Sequence, residues 1–434
     1  MLKKLEVRIP AAVIMTIGLA VLMPIHLSAQ GLSPDELRII EYIDRHEKDA
    51  LDLLERSVNI ESPTEDLAGV RNVGALFEEQ FQALGMTAKW INLPPDLKRA
   101  GHLLAETHGK SGKRILILGH LDTVLRGEKF RIDGNRALGS GVADMKGGDV
   151  IVIQALRALK AVGTLDDSRI IVMFTGDEED SGKPTSISRA DMVEAAKRSD
   201  VALSFEGTVL NTATVGRRGA SSWSLEVQAK TGHSGQIFRE GMGYGAVFEA
   251  SRILNEFREK LVGEKYLSFN PALIVGGTTA DITGPNASAT GKTNVIAAKV
   301  FVEGDLRFIS EAQKEAARTK MREIVAKNLP GTSAKITFED GLPAMFPSEG
   351  NYNLLKQMDQ ASRDLGFGKV EALDPGERGA GDISFISDLV PSLDGIGMGG
   401  NRNTHAKGES AAIDSFSMLT KKAAILIYRL TRQP

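Results

Sequence analysis

Along most of the chain, short runs of isoleucine, leucine and valine alternate with longer stretches in which apolar residues recur every three or four positions. The short runs read as strands buried on both faces, and the periodic stretches as helices with one covered side. Residues 33–54 are expected to form one helix, with Ser33 as N-cap, Pro34 at the first position and Ile39, Ile40, Ile43, Ala50, Leu51 and Leu54 on the buried stripe. A second helix is expected over 67–84, stopping at Gly85, followed by strands near 86–92, 102–107 and 114–118. After a glycine-bearing loop over 126–142, a helix built on Val150, Ile153, Leu156 and Leu159 precedes two more buried runs, 169–174 and 201–205. Helices and buried strands in alternation predict an α/β fold whose sheet is covered on both faces.

The pattern changes near Gly216. Strands are expected at 221–229, 272–279, 295–308 and 334–339, with helices at 243–261 and 310–329. This β-α-β-β-α-β order is the split, ferredoxin-like arrangement. Residues 216–340 are therefore expected to be an inserted α+β domain that divides the first fold into 33–215 and 341–434. The tail returns to alternation and closes with a helix over 415–430.

The first 29 residues stand apart. Lys3, Lys4 and Arg8 precede an apolar run over 11–27, and Leu27-Ser28-Ala29 ends it with small residues. That is the layout of a signal peptide cut after Ala29, which predicts a secreted or periplasmic protein; an uncleaved membrane anchor is the alternative. Composition otherwise excludes more than it suggests. A net charge of -3 over 434 residues leaves no electrostatic footprint for nucleic acid. With no cysteine, disulfides and thiolate ligands are excluded, so any metal must be held by His, Asp or Glu.

Three of the expected strands run out into such residues. Gly119-His120-Leu121-Asp122-Thr123-Val124 follows the first, Asp177-Glu178-Glu179-Asp180 the second and Glu206-Gly207 the third. Strand C-terminal ends are where sites form in open α/β sheets. Asp144, in Ala143-Asp144-Met145-Lys146-Gly147-Gly148, stands just ahead of a helix, and alone it fits a helix cap as well as a ligand. The acidic run alone fits a solvated turn. Taken together, His120, Asp144, Glu179, Glu206 and His405 make two imidazoles and three carboxylates, enough for two divalent cations with one carboxylate bridging them. Paired ions of this kind hold an activated water, and nitrogen and oxygen ligands suit zinc, with cobalt or manganese as substitutes. Glu178 is then left to move the water's proton, and Asp122 to orient His120.

In this order, these motifs and the distant His405 resemble the M20 family of metallopeptidases and, within it, the glutamate carboxypeptidase (carboxypeptidase G2-like) branch. The resemblance covers essentially the whole chain after residue 29. It implies a zinc-peptidase-type mixed sheet flanked by helices, with the inserted domain acting as lid and homodimerisation module. It also implies His120 and Glu206 on one ion, Glu179 and His405 on the other, Asp144 bridging, and Glu178 as general base. His233, in Thr231-Gly232-His233-Ser234-Gly235, would help stabilise the oxyanion, reaching the neighbouring subunit's site. Asn294 and Arg307 would grip the substrate's terminal carboxylate, with Gly381 lining the same pocket; a salt bridge to Asp305 or Glu303 is the other reading of Arg307. Ala297 and Gly207 stand where the family often has proline, which puts the substrate in doubt. The expected activity is cleavage of the amide bond to a C-terminal amino acid, glutamate among the candidates, in a small peptide or N-acyl amino acid. An aminoacylase or dipeptidase is the rival within the family, and a non-catalytic metal-dependent binder the rival outside it.

Overall fold

The computed structural model describes residues 31–433, so the expected signal peptide lies outside the described residues. Among these residues no helix is long and apolar enough to cross a membrane.

The central sheet has six strands, in the order Thr87–Ile91, His102–Glu106, Ser168–Thr175, Ser111–His120, Val201–Ser204 and Ser392–Leu393. The first two pairings are antiparallel and the remaining three parallel, so the sheet is mixed. Its inner strands are Ile-, Leu- and Val-rich and buried over most of their length, including their C-terminal ends, as a sheet covered on both faces requires. One face packs on a large apolar core shared by the helices Leu67–Ala83, Lys146–Ala161 and Phe416–Leu430. The other carries a smaller core with Met192, Ile383 and Ile386.

A second, four-stranded antiparallel sheet takes Ser268–Gly277, Lys299–Phe308, Gly219–Ala229 and Thr332–Asp340 in that order. The helices Gly245–Leu261 and Glu311–Val325 contribute to its own core around Trp223, Phe257 and Met321. This is the order of the ferredoxin-like arrangement expected from the strand pattern.

Several local expectations fail for tertiary reasons. The helix expected over 33–54 is two helices, Pro34–Arg45 and Glu47–Val58, broken at His46. The His46 ring stacks on Tyr42 with centroids 3.9 Å apart, and its carbonyl accepts a hydrogen bond from Gln154 Nε2 at 3.0 Å on a neighbouring helix. The loop over 126–142 contains a hairpin, Arg131–Asp133 with Arg136–Leu138, turned at Gly134 with φ 57°. A further hairpin, Thr279–Thr283 with Asn286–Thr290, was not expected; its strands are short and mostly exposed, and the second buries no residue at all.

Candidate metal centre

The strand Ser111–His120 lies between Ser168–Thr175 and Val201–Ser204 and is parallel to both. Their C-terminal ends are level: His120 faces Thr175 and Leu118 faces Ser204. His120, Glu178, Glu179 and Glu206 therefore emerge together from one end of the sheet. Asp144 precedes the helix Lys146–Ala161 but is not its cap; that position belongs to Met145, which makes no side-chain cap bond. His405 arrives from a loop near the end of the chain, with φ 66°.

Asp144 lies between the two imidazoles and offers one oxygen to each. His120 Nε2 is 3.2 Å from Asp144 Oδ1, and His405 Nε2 is 3.0 Å from Asp144 Oδ2. Glu206 Oε1 lies 3.7 Å from His120 Nε2, and Glu179 Oε2 lies 3.2 Å from His405 Nε2. The pairing is that of two ligand sets sharing one carboxylate. Glu178 sits with His120 and Glu206, their ligand atoms all within 4.8 Å of one another.

The supports of this cluster were less legible than its members. Asp122, expected to orient His120, does so mainly through its carbonyl, 3.0 Å from His120 Nδ1, while its carboxylate stands 3.5 Å away. That carboxylate instead accepts from Thr64 Oγ1 at 2.6 Å and from the backbone N–H groups of Glu178 and Glu179 at 3.1 Å each. Asp122 thus holds the segment that bears both glutamates. Glu409 does the same for Asp144, accepting the N–H groups of Gly141, Ala143 and Asp144 at 2.7, 2.9 and 3.0 Å. Asp177, expected as a turn residue, is fully buried and ion-paired with Arg189 at 2.6 Å; Arg189 also holds Asp382 at 2.7 Å. That guanidinium relieves the repulsion within the acidic run, and no local pattern connects residue 189 with it.

Burial and crowded negative charge dominate the electrostatics. Burial, reinforced by the charge of Glu206, pushes the Glu178 carboxyl well above the usual range. Burial and Asp144 raise Glu206 to about 7. Hydrogen bonds to Asp144 and Glu179 push His405 up to about 11. Burial works against ionisation of Asp144, but the hydrogen bonds from His120 and His405 outweigh it and hold that carboxyl low. Four carboxylates share the cluster with two imidazoles, so cations are what it lacks. The buried Glu179 Oε1 has no hydrogen-bond partner among the described residues, as an oxygen reserved for a ligand would. The donor set, all nitrogen and oxygen, fits a pair of divalent ions.

His233, Asn294 and Arg307 lie on or beside the second sheet, and none hydrogen-bonds or ion-pairs with a cluster residue among the described residues. His233 Nδ1 accepts from Gly235 N at 3.2 Å, Asn294 is exposed, and Arg307 Nε is 2.7 Å from Asp305 Oδ2, in the salt bridge that was its other reading. Gly381 packs against Arg217, whose guanidinium a side chain at 381 would meet at 2.5 Å.

The sequence profile of Peptidase family M20/M25/M40 matches residues 116–429. The chain belongs to this family. It is an M20 metallohydrolase, and the M20 chain is 30% identical over 310 residues to carboxypeptidase G2 of Pseudomonas sp. (strain RS-16), covering 70% of each. Its fold matches the aminopeptidase PepT from Bacillus cereus with a TM-score of 0.70 at 16% identity, covering 88% of this chain and 98% of that one. It also matches the Bacillus subtilis YXEP protein, a dinuclear metal binding peptidase of the M20 family, with a TM-score of 0.62 at 13% identity, covering 90% and 100%.

Proposed function

We propose that this M20 enzyme is an exported di-zinc hydrolase that cleaves the amide bond to a C-terminal amino acid, with glutamate a candidate, in small peptides or N-acyl amino acids. The observation behind this reading is Asp144, with one oxygen on the imidazole of His120 and the other on that of His405. His120 and Glu206 would hold one ion, His405 and Glu179 the other, and Asp144 both. Bound there, two divalent ions supply an activated water and polarise the scissile carbonyl.

Glu178 takes the proton from that water and returns it to the departing amine. Burial pushes its carboxyl well above the usual carboxylate range, which favours holding a proton once it has been taken. Asp122 accepts the Glu178 backbone N–H and so holds the segment that carries the base. Arg307 and Asn294 are assigned to the substrate's carboxylate, with Arg307 exchanging Asp305 for it, and His233 to the oxyanion in a neighbouring subunit. Residues 216–340 are read as lid and dimerisation module. Supporting this, Phe238 packs 5.2 Å from Tyr244 and 5.4 Å from Phe248, ring to ring, in an apolar patch that stays exposed in the single chain.

The test is hydrolysis by the zinc-loaded protein of a panel of N-acyl amino acids and dipeptides, repeated after chelation. Release of a C-terminal amino acid that stops on chelation and returns with zinc is the expected result. No release from any member overturns the reading.

A further inference from the structure

Two clefts flank the carboxylate cluster. One, of about 800 Å³, is lined by Glu178 and Glu179 and by Ser221, Gly304 and Asp305 of the second sheet. The other, of about 450 Å³, is lined by Asp144 and Glu206 together with Gly207, Leu210, Arg378 and Asn401. In the hydrolase reading, on which this inference rests, Glu178 passes a proton to the leaving amine. The amine side of the substrate then lies in the first cleft and the acyl side in the second. We propose that the second cleft is an acyl-side subsite for an acyl group ending in a carboxylate, with Arg378 as its counter-ion.

Arg378 Nε and Nη2 are buried and hydrogen-bond to nothing among the described residues, while 19% of the side chain stays exposed. The nearest carboxylate, Asp394, stands 3.9 Å from Arg378 Nη2 and is already committed to Arg217, whose Nη1 is 2.7 Å from it. Arg217 spends its other donors on the carbonyls of Gly379 and Ala380, at 2.6 and 2.9 Å. Two guanidinium groups thus share Asp394, while the Asp144 and Glu206 carboxylates that also line the cleft are assigned to the metal ions, so Arg378 keeps only the long 3.9 Å contact as an ion pair. Buried N–H groups of a charged side chain are costly to leave unpaired, and the planar fork of arginine matches the two oxygens of a carboxylate.

Another part of the lining is set by a close contact. A side chain at Gly207 would meet Asn401 Nδ2 at 2.2 Å, so the Asn401 amide fills the space that any larger residue at 207 would take. Asn401 Nδ2 donates to the carbonyl of Met398 at 3.1 Å, and its Oδ1 is buried without a partner among the described residues. Leu210 adds an apolar surface beside it. A chain with a methylene stem and a polar end suits these walls better than a wholly apolar one.

The experiment uses two substrates that share the amino acid released fastest in the panel: its N-succinyl and its N-butyryl derivative, which differ by one carboxylate. For the zinc-loaded wild type, kcat/KM for the succinyl substrate should exceed that for the butyryl substrate by about tenfold or more, because a site built around a polar group rejects the analogue lacking it. In Arg378→Met that ratio should fall towards one, chiefly through a higher KM for the succinyl substrate. Arg378→Lys, which keeps the charge without the fork, should recover part of the ratio and serves if the methionine variant does not fold. Equal kcat/KM values in the wild type overturn the subsite and leave the hydrolase reading standing, as does an undiminished ratio in a folded Arg378→Met protein. Absence of release from either substrate and from the whole panel overturns both.

Discussion

The carboxylate of Glu409 holds the backbone on which Asp144 stands. One oxygen takes the N–H groups of Ala143 and Asp144 and the other takes that of Gly141, so the segment ahead of the helix Lys146–Ala161 is tied to the loop that carries His405. The proposed bridging ligand and one ligand of the second ion are thereby placed by a single residue. Glu409→Ala would strand three N–H groups, at a cost of about 3 kcal/mol or more. Metal affinity should fall about 10- to 100-fold, as on loss of other residues that orient ligands. Chemical denaturation and competition with a zinc chelator measure the two effects, and wild-type zinc affinity in the variant would contradict the placement.

Glu178 contacts the ligand cluster without belonging to either proposed ligand set. Glu178→Ala and Glu178→Gln should each reduce kcat by about 10²- to 10⁴-fold, the usual worth of a positioned proton-transfer group. Elemental analysis should still find two metal ions per chain. Loss of metal together with activity would make Glu178 a ligand instead.

Arg189 joins Asp177, which has no access to water, and Asp382, which has little. Removing the guanidinium in Arg189→Ala leaves two buried acids without a counter-charge and should destabilise the fold by about 3–5 kcal/mol. Urea unfolding of the metal-free protein reads this directly, without a contribution from bound ions.

Lys422 is 2% exposed on the helix Phe416–Leu430, and burial lowers its pKa below the ordinary lysine value. In the window between the folded and unfolded pKa values the unfolded chain binds more protons, so stability attributable to this lysine rises with pH. Lys422→Met should therefore be favoured over the wild type at neutral pH, and the advantage should shrink as the pH approaches the unfolded lysine value of about 10.4. Paired melting curves across that range give the comparison; a constant difference would show that Lys422 does not titrate within it.

The apolar patch of Phe238, Tyr244 and Phe248 is the surface assigned to the second copy of the chain. Phe248, 51% exposed, can take a charge without disturbing the core of the second sheet. Phe248→Asp should shift the protein from dimer to monomer by light scattering. A wild-type protein that is already monomeric would remove the proposed contribution of His233 to a neighbouring site.

Much of the fold and the members of the centre were legible from local pattern. Buried strand runs over 114–118, 169–174 and 201–205 end in His120, the Glu178-Glu179 pair and Glu206, and the order of strands and helices after Gly216 already implied the second sheet. Periodicity and residue chemistry are local properties, which is why the chain alone determines them. The contacts that make the centre a site span long stretches of sequence. Glu409 reaches Asp144, Arg189 reaches Asp382 and Gln154 helps to break a helix at His46, and none leaves a pattern of fixed spacing. Whether Asp144 caps a helix or stands between two histidines was a matter of tertiary structure, because only folding brings His405 to it. The long ion pair of Arg378 was decided in the same way: it follows from Asp394 being occupied by Arg217, a competition between residues brought together only by the fold.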